Sequence, residues 1–216
     1  MMASMRITRA TIVGIIVGVL VLGGLVGFAV GLPKTEELPK LPDTLGAQVF
    51  QMSTLTSEEV SGALGAQAAS GADFDKLRTT TAARDTQTSQ QLTGLYGDAT
   101  YRTYIDLGHQ DRLSQGSGFI SIGVTVVQSD AGLVFPQGPA AIDNGAAHYA
   151  MREIDGYQCA GTYQDAQPAS STSAASPELY GTSECRTQHD GYTYDVYATS
   201  TSMDEAAAYL TAAIAG

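Results

Sequence analysis

The chain has 216 residues, with 11 Lys and Arg against 22 Asp and Glu and a formal net charge of −11. That length allows one domain or two small ones. So acidic a chain is a poor phosphate-backbone binder, because nucleic-acid affinity comes from clustered Lys and Arg, and nucleic acid is excluded as a partner.

Residues 1–10 form a short tail whose only charges are Arg6 and Arg9. The next 22 residues, 11–32, carry no charge. At ~1.5 Å per residue they cross ~30 Å of hydrocarbon. A cleaved signal usually has an apolar region of about 7 to 15 residues, so this one reads as a transmembrane signal anchor. The alternative is secretion after cleavage near Gly31, because Ala29 and Gly31 are small residues at the spacing a signal peptidase prefers. The Arg pair places the N-terminus in the cytoplasm and the body outside the membrane. Gly23, Gly27 and Gly31 recur every four residues. Such spacing lets two helix backbones approach closely, so a homodimer would form through this face. The plainer reading is that glycine is common in membrane spans.

Beyond the span lie 9 basic and 22 acidic residues, a net charge of −13. Residues 33–46 hold three of the seven prolines and read as an extended linker. Residues 47–216 then form one extracytoplasmic domain. Thr56 and Glu59 have capping-box spacing and predict a helix over 57–70. Residues 73–95 read as helical on Phe74, Leu77, Leu92 and Leu95, with a mobile polar loop as the alternative because Thr79-Thr80-Thr81 is a poor helix run.

From residue 100 onward the pattern is strand-like. Strands are predicted over 101–107 and 119–127, with a turn at 129–132 into Leu133-Val134-Phe135 and a loop over 136–147. Asp155-Gly156 and Asp190-Gly191 are two-residue hairpin signals, implying strands at 147–154, 157–164, 179–189 and 192–200. Residues 166–176 are too rich in Ser, Thr and Ala to pack and read as a surface loop. Met203–Ala215 is the final helix, with Ser202 as its N-cap and Asp204 and Glu205 in its first turn. The fold class is therefore α+β: a transmembrane helix, then an antiparallel sheet of hairpins packed against helices.

Cys159 and Cys185 are the only cysteines. Outside the membrane an even pair predicts one disulfide, and the hairpin arithmetic sets Cys185 opposite Val196 with Cys159 in a neighbouring strand. The same arithmetic puts Arg152 opposite Cys159 on the supposed core face, which demands a bulge or a different register. Residues 95–103 also match residues 179–187 at five of nine positions, a candidate internal repeat set against chance in a Thr-, Gly- and Tyr-rich chain.

No motif for catalysis, a metal or a cofactor is present. His109, His148 and His189 lack zinc-ligand spacing, and there is no GxSxG elbow, P-loop or GxGxxG. His109 and His189 sit at turns and read as solvated. Of eleven tyrosines, Tyr104, Tyr180 and Tyr197 would face outward as a binding surface, and the rest would serve sheet packing. The expected function is a non-enzymatic envelope protein. It is held in the bilayer by residues 11–32 and binds a protein or ligand outside. The alternatives are an extracytoplasmic hydrolase with no recognisable motif and an accessory subunit of a membrane complex.

Overall fold

A computed structural model describes residues 38–64, 71–109, 120–130, 147–166 and 179–216. Segment 11–32, its glycines Gly23, Gly27 and Gly31, residues 133–135 and the 167–176 part of the Ser/Thr-rich loop lie outside the described residues. No helix among the described residues is long and apolar enough to cross a membrane.

The domain is an α+β fold built on one antiparallel sheet of seven strands. In chain order these are β1 (Val49–Gln51), β2 (Ala99–Asp106), β3 (Ile120–Val127), β4 (Ala147–Ile154), β5 (Tyr157–Gln164), β6 (Leu179–His189) and β7 (Tyr192–Thr199). The described helices are α1 (Ser57–Leu64), α2 (Gly71–Tyr96) and α3 (Met203–Ala215). Across the sheet the order is β1-β2-β3-β7-β6-β5-β4.

Both predicted hairpins form with the predicted register. Ile154 pairs with Tyr157, and His189 with Tyr192. Each turn needs left-handed backbone at both central residues, and Asp155, Gly156, Asp190 and Gly191 have φ of 52°, 82°, 50° and 80°. Asp-Gly tolerates this best, so the turn fixes which face each strand residue takes.

One face of the sheet carries the main core. Tyr104, Ile122, Val124, Val126, Tyr194, Val196 and Ala198 are buried there against Ala206, Ala207, Leu210 and Ala213 of α3. Ser202 caps α3 with a full capping box. The other face carries a smaller cluster over β1 and β2, where Met52, Leu55, Val60 and Phe74 cover Ile105. The Thr56–Glu59 box at the start of α1 forms as its spacing implies, with Thr56 N donating to Glu59 Oε2 at 2.8 Å.

Helix α2 forms, but not on the apolar positions that suggested it. Phe74 is buried, whereas Leu77 and Leu95 are exposed. What it presents to the sheet is a polar stripe, Asp85, Ser89 and Thr93. Strand β1 pairs only with Tyr104, Ile105 and Asp106 of β2. The edge of β2 beyond it is met by the helix. Thr103 N donates to Asp85 Oδ2 at 2.8 Å, Tyr101 N donates to Ser89 Oγ at 2.8 Å, and Thr93 Oγ1 donates to Ala99 O at 3.4 Å. Side chains spaced every four residues thus serve the alternate backbone groups that a neighbouring strand would otherwise take.

Residues 38–46, read from the prolines as linker, are docked on the domain. Leu41 and Leu45 are buried in the main core, and the compact unit begins at Leu38. Arg102 Nη1 donates to Leu41 O at 2.6 Å, and Tyr104 Oη donates to Pro42 O at 2.7 Å. Burial pushes the Tyr104 phenol up to about 12, so it stays a donor across ordinary pH. Replacing Tyr104 with Phe removes one buried hydrogen bond. It should cost about 1 kcal/mol in denaturant titrations and speed proteolytic cleavage within 38–46.

The candidate repeat does not correspond to repeated structure. Leu95 and Tyr96 end helix α2, whereas their counterparts Leu179 and Tyr180 begin strand β6.

Candidate functional site

Of the three tyrosines expected to form a binding surface, Tyr104 is buried in the core with no exposure. It lies opposite Ile122 on the α3 side of the sheet, so that expectation is corrected. Strand β2 is covered on both faces, by the main core on one and by Met52, Leu55, Val60 and Phe74 over Ile105 on the other. Tyr180 and Tyr197 are both exposed, Tyr197 at 42%. They lie on opposite faces and make no common surface. Tyr197 follows the outward alternation of β7. Tyr180 is turned to the α3 face by a register shift between β5 and β6 at Gly161/Tyr163.

That bulge opens a cleft of about 340 Å³. Tyr163, Tyr180, Arg152, Ser183, Met203 and Asp204 line it. A Cβ on Gly161 would stand 3.1 Å from Met203 Cγ, Ser183 Oγ and Thr182 O, so only glycine fits without displacing a neighbour. Tyr163 stacks on His148 across the hairpin, with ring centroids 5.4 Å apart and planes at 26°. Arg152 does lie opposite Cys159, as the turn arithmetic demanded. No bulge is needed there, because β4 is the last strand of the sheet. Arg152 stays exposed beyond the main core, with Nη2 3.5 Å from Asp204 Oδ2. The cleft therefore combines two phenol rings with one cation and one carboxylate. A second, larger groove of about 540 Å³ runs between α2 and the edge of β2, past Gln51, Asp85, Ser89 and Tyr101.

On the opposite face, Arg186 binds two carboxylates. Nη2 is 3.0 Å from Glu184 Oε1, and Nε is 2.7 Å from Asp195 Oδ2. Glu184 is nearly buried, and burial, helped by Asp195, pushes its carboxyl up to about 8 against the pull of Arg186. A carboxyl whose folded value lies above its unfolded value holds its proton more tightly in the fold. Its stabilising contribution is complete below the unfolded value and is lost as pH rises through the folded one. Glu184→Gln should match the wild type near about pH 4 and be more stable than it at about pH 9, giving a flatter profile of Tm against pH. Superimposable profiles would contradict this.

Among the described residues, a further group of titratable side chains surrounds His109, just past the end of β2. Asp106 is buried, its side chain 1% exposed. Its carboxylate accepts from His109 Nδ1 at 2.5 Å, from Tyr209 Oη at 2.9 Å and from Gly108 N at 2.7 Å. The other ring nitrogen, Nε2, faces Glu205 Oε1 at 3.5 Å. Glu205 Oε2 is held by the capping box, accepting from Ser202 N at 2.9 Å and Ser202 Oγ at 2.8 Å. Reading His109 as a solvated turn residue therefore missed its fixed setting. Sequence spacing held no sign of it, since Tyr209 and Glu205 arrive from α3 at the far end of the chain. His189 keeps the turn position expected of it, 3.3 Å from the exposed Asp190.

Cys159 and Cys185 are bonded, directly opposite each other on β5 and β6 with Cα atoms 4.1 Å apart. Compared with models of known protein families, with curated proteins and with solved structures, the chain matches none of them.

Proposed function

We propose that this chain is an envelope protein anchored by residues 11–32, with its domain outside the membrane binding a ligand or partner without chemical turnover. The buried Cys159–Cys185 bond supports the compartment, because structural disulfides persist where the surroundings are oxidising. The cleft at the β5–β6 bulge supports the binding role, and it carries this reading. It combines aromatic faces with a few placed polar groups, as recognition sites do.

The hydrolase reading draws on the Asp106–His109 pair, which resembles an oriented general base. Among the described residues, however, the group facing Nε2 is the Glu205 carboxylate and not a hydroxyl or thiol for a base to activate.

A photo-crosslinking residue placed at position 180 in intact cells should capture a defined adduct, while the same residue at position 197 should not. Equal capture at both positions, or none at 180, overturns the cleft as the binding site.

A further inference from the structure

The two edges of the sheet differ. On one, neighbouring segments serve the backbone: Leu45 N donates to Val49 O and Gln51 N to Asp43 O along β1, each at 2.9 Å, and Asp85, Ser89 and Thr93 serve β2 beyond it. The other edge is β4, eight residues with no proline and an unbroken register against β5. Ile154 and Tyr157 flank a two-residue turn and so form a hydrogen-bonded pair. The alternation of the ladder then gives the backbone groups of His148, Ala150, Arg152 and Ile154 to β5. The N–H and C=O groups of Ala147, Tyr149, Met151 and Glu153 point away from the sheet, and among the described residues nothing bonds to them. A regular free edge is a template for another strand, and sheets usually blunt one with Lys, Pro or a bulge. The middle of this edge carries Met151 instead, 50% exposed.

We propose that β4 pairs antiparallel with β4 of a second copy of this chain, about a two-fold axis at Ala150. This interface goes beyond the binding role given to the cleft and does not depend on it. Pairing a strand antiparallel with itself is what a two-fold axis generates, so the strand has to fit no sequence but its own. The outward groups select the register, because they must meet one another in hydrogen-bonded pairs. An axis at Ala150 sets Ala147 opposite Glu153 and Tyr149 opposite Met151, each twice, which makes four such pairs within β4. An axis at Met151 makes three.

The side chains suit the same register. On the face away from α3, Met151 of each copy meets Tyr149 of the other, an aromatic–apolar cross-strand pair. On the α3 face alanine meets alanine at the axis, where little bulk opposes close approach. Arg152 comes opposite His148 of the other copy, whose Nε2 lies 2.7 Å from Asp165 Oδ2, so the guanidinium meets a ring already paired with an acid. Like charges stay apart. The two Arg152 residues are offset by four positions, ~13 Å, and the two Glu153 residues by six, ~20 Å. Because residues 43–45 and α2 cover the far edge of the sheet, the association closes at two copies and does not grow into a fibre.

The test is mild oxidation of membranes holding the full-length Ala150→Cys variant, read on a non-reducing gel with the linked peptides identified by mass spectrometry. At the axis the two Cα atoms stand ~4.5 Å apart, within disulfide reach, so a linked dimer should form. Glu153→Cys, ~20 Å from its copy, should stay unlinked. Adding Met151→Lys to A150C puts a charge in the middle of the edge and should abolish the link while Tm holds. Met151→Pro should do the same, since the N–H it removes points away from β5. An unlinked A150C overturns the interface. So does linking of E153C equal to that of A150C, which would report contact through another surface, or a link that survives M151K. Linking of A150C to a different protein would give the edge to a foreign strand and overturn self-pairing.

Discussion

Replacing Cys159 and Cys185 together with Ala should lower the stability of the domain by about 3 kcal/mol on the chain-entropy account. The bond spans a sequence separation of 26, so it removes a loop of that size from the freedom of the unfolded chain. For a domain of this length the loss corresponds to a fall in Tm of about 10 °C. Position explains why the bond adds little constraint to the folded sheet. Each cysteine lies in a hydrogen-bonded pair with its hairpin partner strand, Cys159 with Arg152 and Cys185 with Val196. By the alternation of an antiparallel ladder, the pair they make with each other is the close, non-hydrogen-bonded kind, where side chains approach most nearly. The bridge thus joins two hairpins that the turns have already put in register. It offsets the entropy of the long connection between β5 and β6. Thermal unfolding of the double variant beside the oxidised and reduced wild type checks this. Reduced wild type should fall with the variant, and an unchanged Tm in both would show that the hairpin pairing alone holds β5 to β6.

Much of the β half was legible because short-range rules decide it. An Asp-Gly pair between alternating runs fixes both turn and register, and register fixes which residues are inward. The same rule correctly placed Arg152 opposite Cys159, where a hydrophobicity argument objected. What the pattern could not show is that β4 ends the sheet, leaving Arg152 outside the core. Strand order is a long-range property, and here β3 pairs with β7 across three intervening strands, Ile122 with Ala198. Tyr104 was misplaced for a related reason. It faces a core completed by Leu41, Leu45 and α3, which come from distant parts of the chain and leave no mark in the pattern of β2 itself. The cleft was half-legible: Tyr180 was named, but only the bulge turns it toward Tyr163 and Asp204. The His109 cluster was not legible, because the end of β2 supplies Asp106 while Glu205 and Tyr209 come from α3, with Tyr209 and Asp106 103 residues apart in sequence.

Asp85→Ala should be among the most damaging single changes in the domain, costing about 3 kcal/mol or more. Asp85 is only 7% exposed, and it takes both the backbone N–H and the hydroxyl of Thr103, at 2.8 and 2.7 Å. Hydrogen bonds to a charged acceptor contribute about 1.5–3 kcal/mol each, and alanine leaves the Thr103 N–H buried beside a methyl group with no acceptor. Asp85→Asn keeps one carbonyl oxygen and should lose roughly half as much. Asparagine matches aspartate in size, so D85N alters the hydrogen bonds with the packing kept, whereas D85A removes both. The consequence extends past stability. An uncovered strand edge is a template for pairing with another chain, and α2 is what covers β2 beyond the end of β1. With Asp85 gone, only Ser89 and Thr93 still bond to that edge from the stripe, so the alanine variant should also scatter more light on mild heating than the asparagine variant. Denaturant titration and static light scattering of the three proteins measure both effects. Equal stability of D85A and the wild type would mean that α2 lies against β2 without bonding to it. A helix with so little apolar surface facing the sheet would then have nothing to hold it there. The polar stripe of Asp85, Ser89 and Thr93 is, on this account, the reason the helix is bound at all.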